Sequence, residues 1–147
     1  MSVRKLTLDT GAPWASFGVS FGARRPACPM AGAQRTFELL RGALQSRDAD
    51  DMLELYSEDA VMLGYDENRP PSSPMRLEGK TRIEPVVRDN CSRDMTHQVG
   101  DEVVGEDRFS FNEICEYSDG SRMFASIVCD LRDGKITREV RVQVRDE

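Results

Sequence analysis

The last third of the chain constrains the fold most. After Arg93, stretches of alternating character are broken by turn signals at Gly105-Glu106-Asp107, Asp119-Gly120 and Asp133-Gly134. Alternation at period two marks a half-buried strand, and Asp-Gly favours the left-handed backbone of a two-residue type I′ hairpin. The spacing predicts a four-stranded antiparallel meander: Met95–Val104, Arg108–Tyr117, Arg122–Leu131 and Lys135–Val144.

The residues before it read as helices. Ala33, Phe37, Leu40 and Leu44 form one stripe, and Asp48 stands where it can cap a second, short helix carrying Ala49, Met52, Leu53 and Tyr56. Ala60 to Tyr65 reads as a strand, and a loop with Pro70, Pro71 and Pro74 follows. A third helix opens after Gly79, with Thr81 and Glu84 at capping-box spacing and Ile83, Val87 and Cys91 along one face. Pro85 leaves the start of that helix open between Thr81 and Arg82 or later. Helices first and strands last is an α+β arrangement, with the helices packed on one side of a curved antiparallel sheet. Met1 to Gly32 shows neither period and reads as a flexible extension ahead of a domain at 33–147, so that a start at Met30 would leave the domain whole.

Composition narrows the function classes. The net charge is −6; residues 1–32 hold four bases against Asp9, so the rest of the chain carries −9. Such a surface repels phosphate backbones, which argues against nucleic acid as a partner. No apolar run approaches the length of a membrane span. Four scattered cysteines and one histidine, His97, give no metal or cofactor signature and fit a reducing, cytoplasmic setting. No phosphate-cradling glycine loop or nucleophile elbow is present.

Taking both Asp-Gly turns as two-residue loops sorts the sheet into two faces. Paired positions then sum to 239 and 267, placing Ile114, Met123, Ala125, Ile127, Cys129, Val140, Val142 and Val144 under the helices, with Arg138 the lone charge. The opposite face would carry Phe109, Phe111, Glu113, Cys115, Phe124, Ser126, Asp130, Glu139 and Arg141. Aromatics mixed with polar groups in that way suit a protein interface, and this reading predicts a homodimer through the outer sheet face. Glu113, Ser126 and Arg141, in one row, read as an interface ion pair.

Two amphipathic helices, a strand, Gly79-x-x-x-Ile83 opening a third helix, and Asp133-Gly134-Lys135-Ile136 between the last two strands resemble the SnoaL-like branch of the nuclear transport factor 2-like superfamily. The resemblance spans about residues 33–147. It implies a cone, a curved sheet wrapped around about three helices and enclosing a pocket. It also implies one of several roles: isomerase, cyclase, epoxide hydrolase, or a binding or assembly domain. Many such sequences place an acid six positions before the Asp of that turn; here the position is Ile127.

The leading reading is therefore a domain that binds a small hydrophobic ligand, without a cofactor, in a pocket bounded by Tyr56, Val99, Ile114, Ile127 and Val140 with Arg138 nearby. The alternative is an isomerase, cyclase or hydrolase using His97, oriented by Glu116 across a hairpin through Glu106-Asp107, with Tyr56 as a further hydroxyl. A third is a homodimeric assembly module with no ligand.

Overall fold

The computed structural model describes residues 32–146. The expected extension, with Cys28 and Met30, lies outside them apart from Gly32, which already belongs to the first helix. The elements run α1 (Gly32–Ser46), α2 (Ala49–Glu54), β1 (Tyr56–Tyr65), β2 (Met75–Glu78), α3 (Lys80–Ser92), β3 (Met95–Val104), β4 (Arg108–Tyr117), β5 (Arg122–Arg132) and β6 (Lys135–Arg145). One six-stranded sheet has the order β2-β1-β6-β5-β4-β3, antiparallel except where β1 runs parallel to β6. The result is the expected α+β cone: a curved, unclosed sheet with the helices in its hollow.

Local chemistry accounts for most boundaries. The Asp48 carboxylate accepts from the Asp51 N–H at 3.0 Å and caps α2. α2 stops at Glu54, so Tyr56 opens β1 instead of completing a helical stripe. Helix α3 begins directly after Gly79, whose φ of +87° suits a residue without a Cβ, and no side chain caps it. Pro85 sits inside that helix, and its missing N–H costs one turn bond.

The core fills the closed end of the cone. Phe37 of α1 meets Phe109 and Phe111 of β4 with ring centroids 5.4 and 5.6 Å apart, and Leu40, Ile83, Ile127 and Ile136 pack around them. Each buried ring or branched side chain contributes about 1.5–3 kcal/mol relative to exposure. A smaller cluster of Met95, Cys115 and Met123 lies apart from this core.

The strands are where expected, but their faces are only partly so. Between β4 and β5 the turn holds three residues, Ser118 to Gly120, closed by Tyr117 N–H to Ser121 C=O at 2.9 Å with Gly120 at φ +86°. Pairs therefore sum to 238, as in Phe111 with Ile127 and Cys115 with Met123. The Asp133-Gly134 turn does have two residues at positive φ, yet Thr137 is an extra residue between the Leu131–Ile136 and Asp130–Arg138 pairs. Beyond that bulge Ile127 faces Arg141, not Val140. Met123, Ala125, Ile127 and Cys129 line the hollow as expected. Each one-residue slip turned a neighbouring strand over: Phe109, Phe111, Glu113 and Cys115 of β4, and Glu139 and Arg141 of β6, point inward with them. Ile114, Val142 and Val144 face outward.

Candidate active site

The inward turn of β4 and β6 puts charge inside the cone. Glu113 and Glu139 are 2% and 1% exposed, a burial that carboxylates tolerate only when paired. Their partners are at hand. Arg141, two residues along β6 from Glu139 and so on the same face, donates from Nε at 2.9 Å and from Nη2 at 2.8 Å to its Oε1. The Tyr56 hydroxyl, brought in by the start of β1, donates to the other oxygen of Glu139. On the far side His97 of β3 sets Nδ1 2.5 Å from Glu113 Oε1, and Cys115 Sγ lies 3.5 Å from the same nitrogen. A carboxylate there favours the tautomer that carries its proton on Nδ1, which leaves Nε2 to exchange a proton with a bound molecule.

Four of these groups, Glu113, Arg141, Tyr56 and Cys115, are each held toward one charge state. Burial alone would raise the Glu113 carboxyl, but the His97 hydrogen bond and the Arg141 and His97 charges outweigh it and keep the group below the usual range. Burial would lower Arg141; Glu139, Glu113 and Tyr56 together raise it, so it stays a cation. Burial and then Glu139 push the Tyr56 phenol well up, so it remains a proton donor. The Cys115 thiol is pushed up to about 12 by burial and by Glu113, and is no thiolate nucleophile.

Tyr56, His97, Glu113, Cys115 and Arg141 border an inner chamber of about 20 Å³, enough for one water. Asn90, Met123 and Arg141 also line an outer cleft of about 450 Å³, bounded by Asp66, Arg69, Met75, Val86, Asp89, Arg93, Tyr117 and Arg145 among others. The site is a roomy cleft over a small ionic floor.

The structure distributes the sequence-derived candidates unevenly. His97 and Tyr56 reach the chamber. Glu116 does not meet His97: it faces Thr96, because the β3–β4 register shifts between Gly100 and Val103, where Asp101 takes φ +54°. His97 instead opposes Cys115, with Glu113 two residues along. Ile127 and Val99 pack in or against the core at the closed end. Ile114 and Val140 are on β4 and β6 positions that face away from the chamber, and Arg138 is exposed, paired with Asp130 at 3.4 Å. The row read as Glu113, Ser126 and Arg141 is in fact Glu113, Ala125 and Gln143. Glu113, Glu139 and Arg141 were thereby missed as site residues. The signal was in β4 itself, where Phe109, Phe111 and Cys115 share parity with Glu113.

His97 Nδ1, a Glu113 oxygen and Cys115 Sγ lie within 4.8 Å of one another, the kind of N, O and S set that can hold a transition metal. The Arg141 cation acts on both Glu113 and Cys115 and opposes a metal there. Among the described residues no helix is long and apolar enough to cross a membrane.

No family profile and no curated protein matches the sequence. Solved structures do match in shape. An NTF-2-like protein from Burkholderia xenovorans LB400 superposes with a TM-score of 0.64 at 16% identity, over 79% of this chain and 84% of its own. RV0760c from Mycobacterium tuberculosis, solved in complex with estradiol-17beta-hemisuccinate, gives 0.60 at 16%, over 76% and 92%. An LEH-like epoxide hydrolase of M. tuberculosis gives 0.59 at 17%, over 77% and 83%.

Proposed function

We propose, from the nuclear transport factor 2-like fold that the chain adopts, that it is a hydrolase of a small molecule, working by acid–base chemistry on the ionic floor of the cone. The observation that carries this is four ionisable side chains, Tyr56, His97, Glu113 and Arg141, gathered around a chamber the size of one water, with Glu139 behind Tyr56 and Arg141 and bonded to both. A greasy hollow would suit simple binding; here, burying two carboxylates at the floor costs stability and calls for a role.

In the proposed step the small molecule fills the outer cleft with its electrophilic carbon at the partition formed by Met123 and Arg141. The water adds its oxygen to that carbon, and His97 takes the proton at Nε2 while Glu113 stabilises the imidazolium. Arg141, fixed by Glu139 and Tyr56, faces the oxygen that gains negative charge as its bond to carbon breaks. His97 returns the proton to that oxygen, which balances the reaction. Solved structures of the same shape include an epoxide hydrolase and a steroid complex, which supports a cleft of this kind serving such ligands. The exposed apolar row on the outer face supports a homodimer through the sheet, with Phe124 as read from sequence but with Ile114 and Val144 beside it in place of Phe109, Phe111 and Arg141.

The test is turnover of a panel of aryl epoxides and esters in ¹⁸O-labelled water. Label should appear in the product, and Glu113→Gln and His97→Ala should each lower the rate by about 10²–10⁴-fold. Turnover that survives both changes refutes the assignment, and binding without turnover would return the protein to the class of carriers.

A further inference from the structure

The outer cleft has a charge that the rest of the chain does not. Its lining includes Arg69, Arg93, Arg141 and Arg145 against Asp66 and Asp89, four cations to two anions, in a protein whose net charge is −6. Three of the four cations are answered. Arg93 donates to Asp89 at 2.7 Å, Arg141 to Glu139 below the floor, and Arg69 lies 3.9 Å from Asp66. Arg145 has no carboxylate in ion-pair range among the described residues; its guanidinium rests 5.6 Å from the centroid of the Tyr117 ring. That ring and the exposed end of β6 hold a cation that no carboxylate among the described residues pairs, beside a cleft with Met75, Pro85, Val86 and Met123 in its walls.

Resting on the reading above that this cleft holds the small molecule, we propose that its ligand is an amphipathic organic anion, an apolar ring body bearing a carboxylate that Arg145, with Arg93 beside it, receives at the mouth. The placement follows from the geometry. At the floor the Arg141 cation is already paired with Glu139 and faces Glu113 beneath it, so the cation free to take an anionic head is at the opposite end, and the apolar body lies between. A guanidinium seated on an aromatic face is already ordered, which reduces the entropy lost when it takes a carboxylate. The arginines also attract an anion that the acidic remainder of the surface repels.

The test compares two probes of one shape on the full chain, 2-naphthaleneacetic acid and its neutral counterpart 2-naphthaleneethanol, by isothermal titration. The acid should bind at least tenfold more tightly, and Arg145→Gln should reduce that preference to about twofold, with Arg93→Gln reducing it less. Salt raised from 0.05 to 0.5 M should weaken the acid alone. Glu113→Gln should keep the preference, which separates this inference from the catalytic reading: loss of turnover with the preference intact leaves it standing. Circular dichroism and melting checked on each variant show that the fold is intact. Equal affinity for the two probes, no binding of the acid, or a preference unchanged in both arginine variants overturns it.

Discussion

Replacing Arg141 by Met tests the electrostatics of the site most directly. The substitution keeps a long unbranched side chain but removes the two donors that Glu139 accepts, at 2.9 and 2.8 Å, and the cation that Glu113 faces. Breaking a buried pair from one side leaves uncompensated charge and costs about 3–5 kcal/mol. For the 115 residues of the folded part, at roughly 4 °C per kcal/mol, the melting midpoint should fall by about 12–20 °C at pH 7. The pH dependence follows from Glu113. Its carboxyl is held below the usual range in the folded chain, so its stabilisation is present above the unfolded value of about 4.3 and is lost as pH falls through the folded one. Arg141→Met removes part of that support, so the gap between wild type and variant should be full above about pH 5 and narrow on acidification. Arg141→Lys, which keeps the charge without the fork, should lose less. Urea denaturation across pH 3.5–8 measures all three chains. A variant within 1 kcal/mol of wild type at pH 7, or a gap unchanged at pH 4, would show that the guanidinium does not hold these carboxylates.

Tyr56→Phe removes the only hydroxyl bonded to Glu139 among the described residues and should cost about 1–3 kcal/mol, read by urea denaturation; because the phenol is raised well above 10, it should leave the alkaline absorbance titration of the folded chain unchanged. In a Cys28→Ser chain at pH 8, a disulfide-exchange thiol reagent should reach Cys91 slowly and leave Cys115 and Cys129 silent until denaturant is added, since burial raises both thiols. Ile114, Phe124 and Val144 lie side by side across three strands at 40%, 42% and 64% exposure. Light scattering at micromolar concentration should give a dimer mass that Phe124→Asp halves; a monomeric wild type would remove that interface.

Much of this architecture could be read from residue order. The stripe from Ala33 to Leu44, the Asp48 cap and three turn signals specify helices, sheet and the strand limits because each rests on local chemistry. The site was legible in part, and the reason is parity. Whether a side chain points into the cone depends on counting residues through turns, and one extra residue reverses a strand. Asp119-Gly120 signalled a turn but not its length, and neither the bulge at Thr137 nor the shift after Gly100 has a marker as strong as Asp-Gly. β6 also misled by composition. Its aliphatics Val140, Val142 and Val144 lie outside while Glu139 and Arg141 lie within, the reverse of what burial alone predicts. β4 was the exception: the shared parity of Phe109, Phe111 and Cys115 outweighs Ile114, and it pointed to Glu113 without any turn arithmetic.

The additional threonine of the final strand therefore acts as a selector. Drawn into regular register opposite Asp130, it would exchange the arginine and glutamate for three valines at the chamber wall with no codon altered, whereas its deletion would merely straighten the strand and leave Cys129 beside Glu139 and Ile127 beside Arg141. Cones of this shape pass between a proton-handling interior and an oily one through the way one corner is paired, a route that comparisons made by substitution alone would overlook.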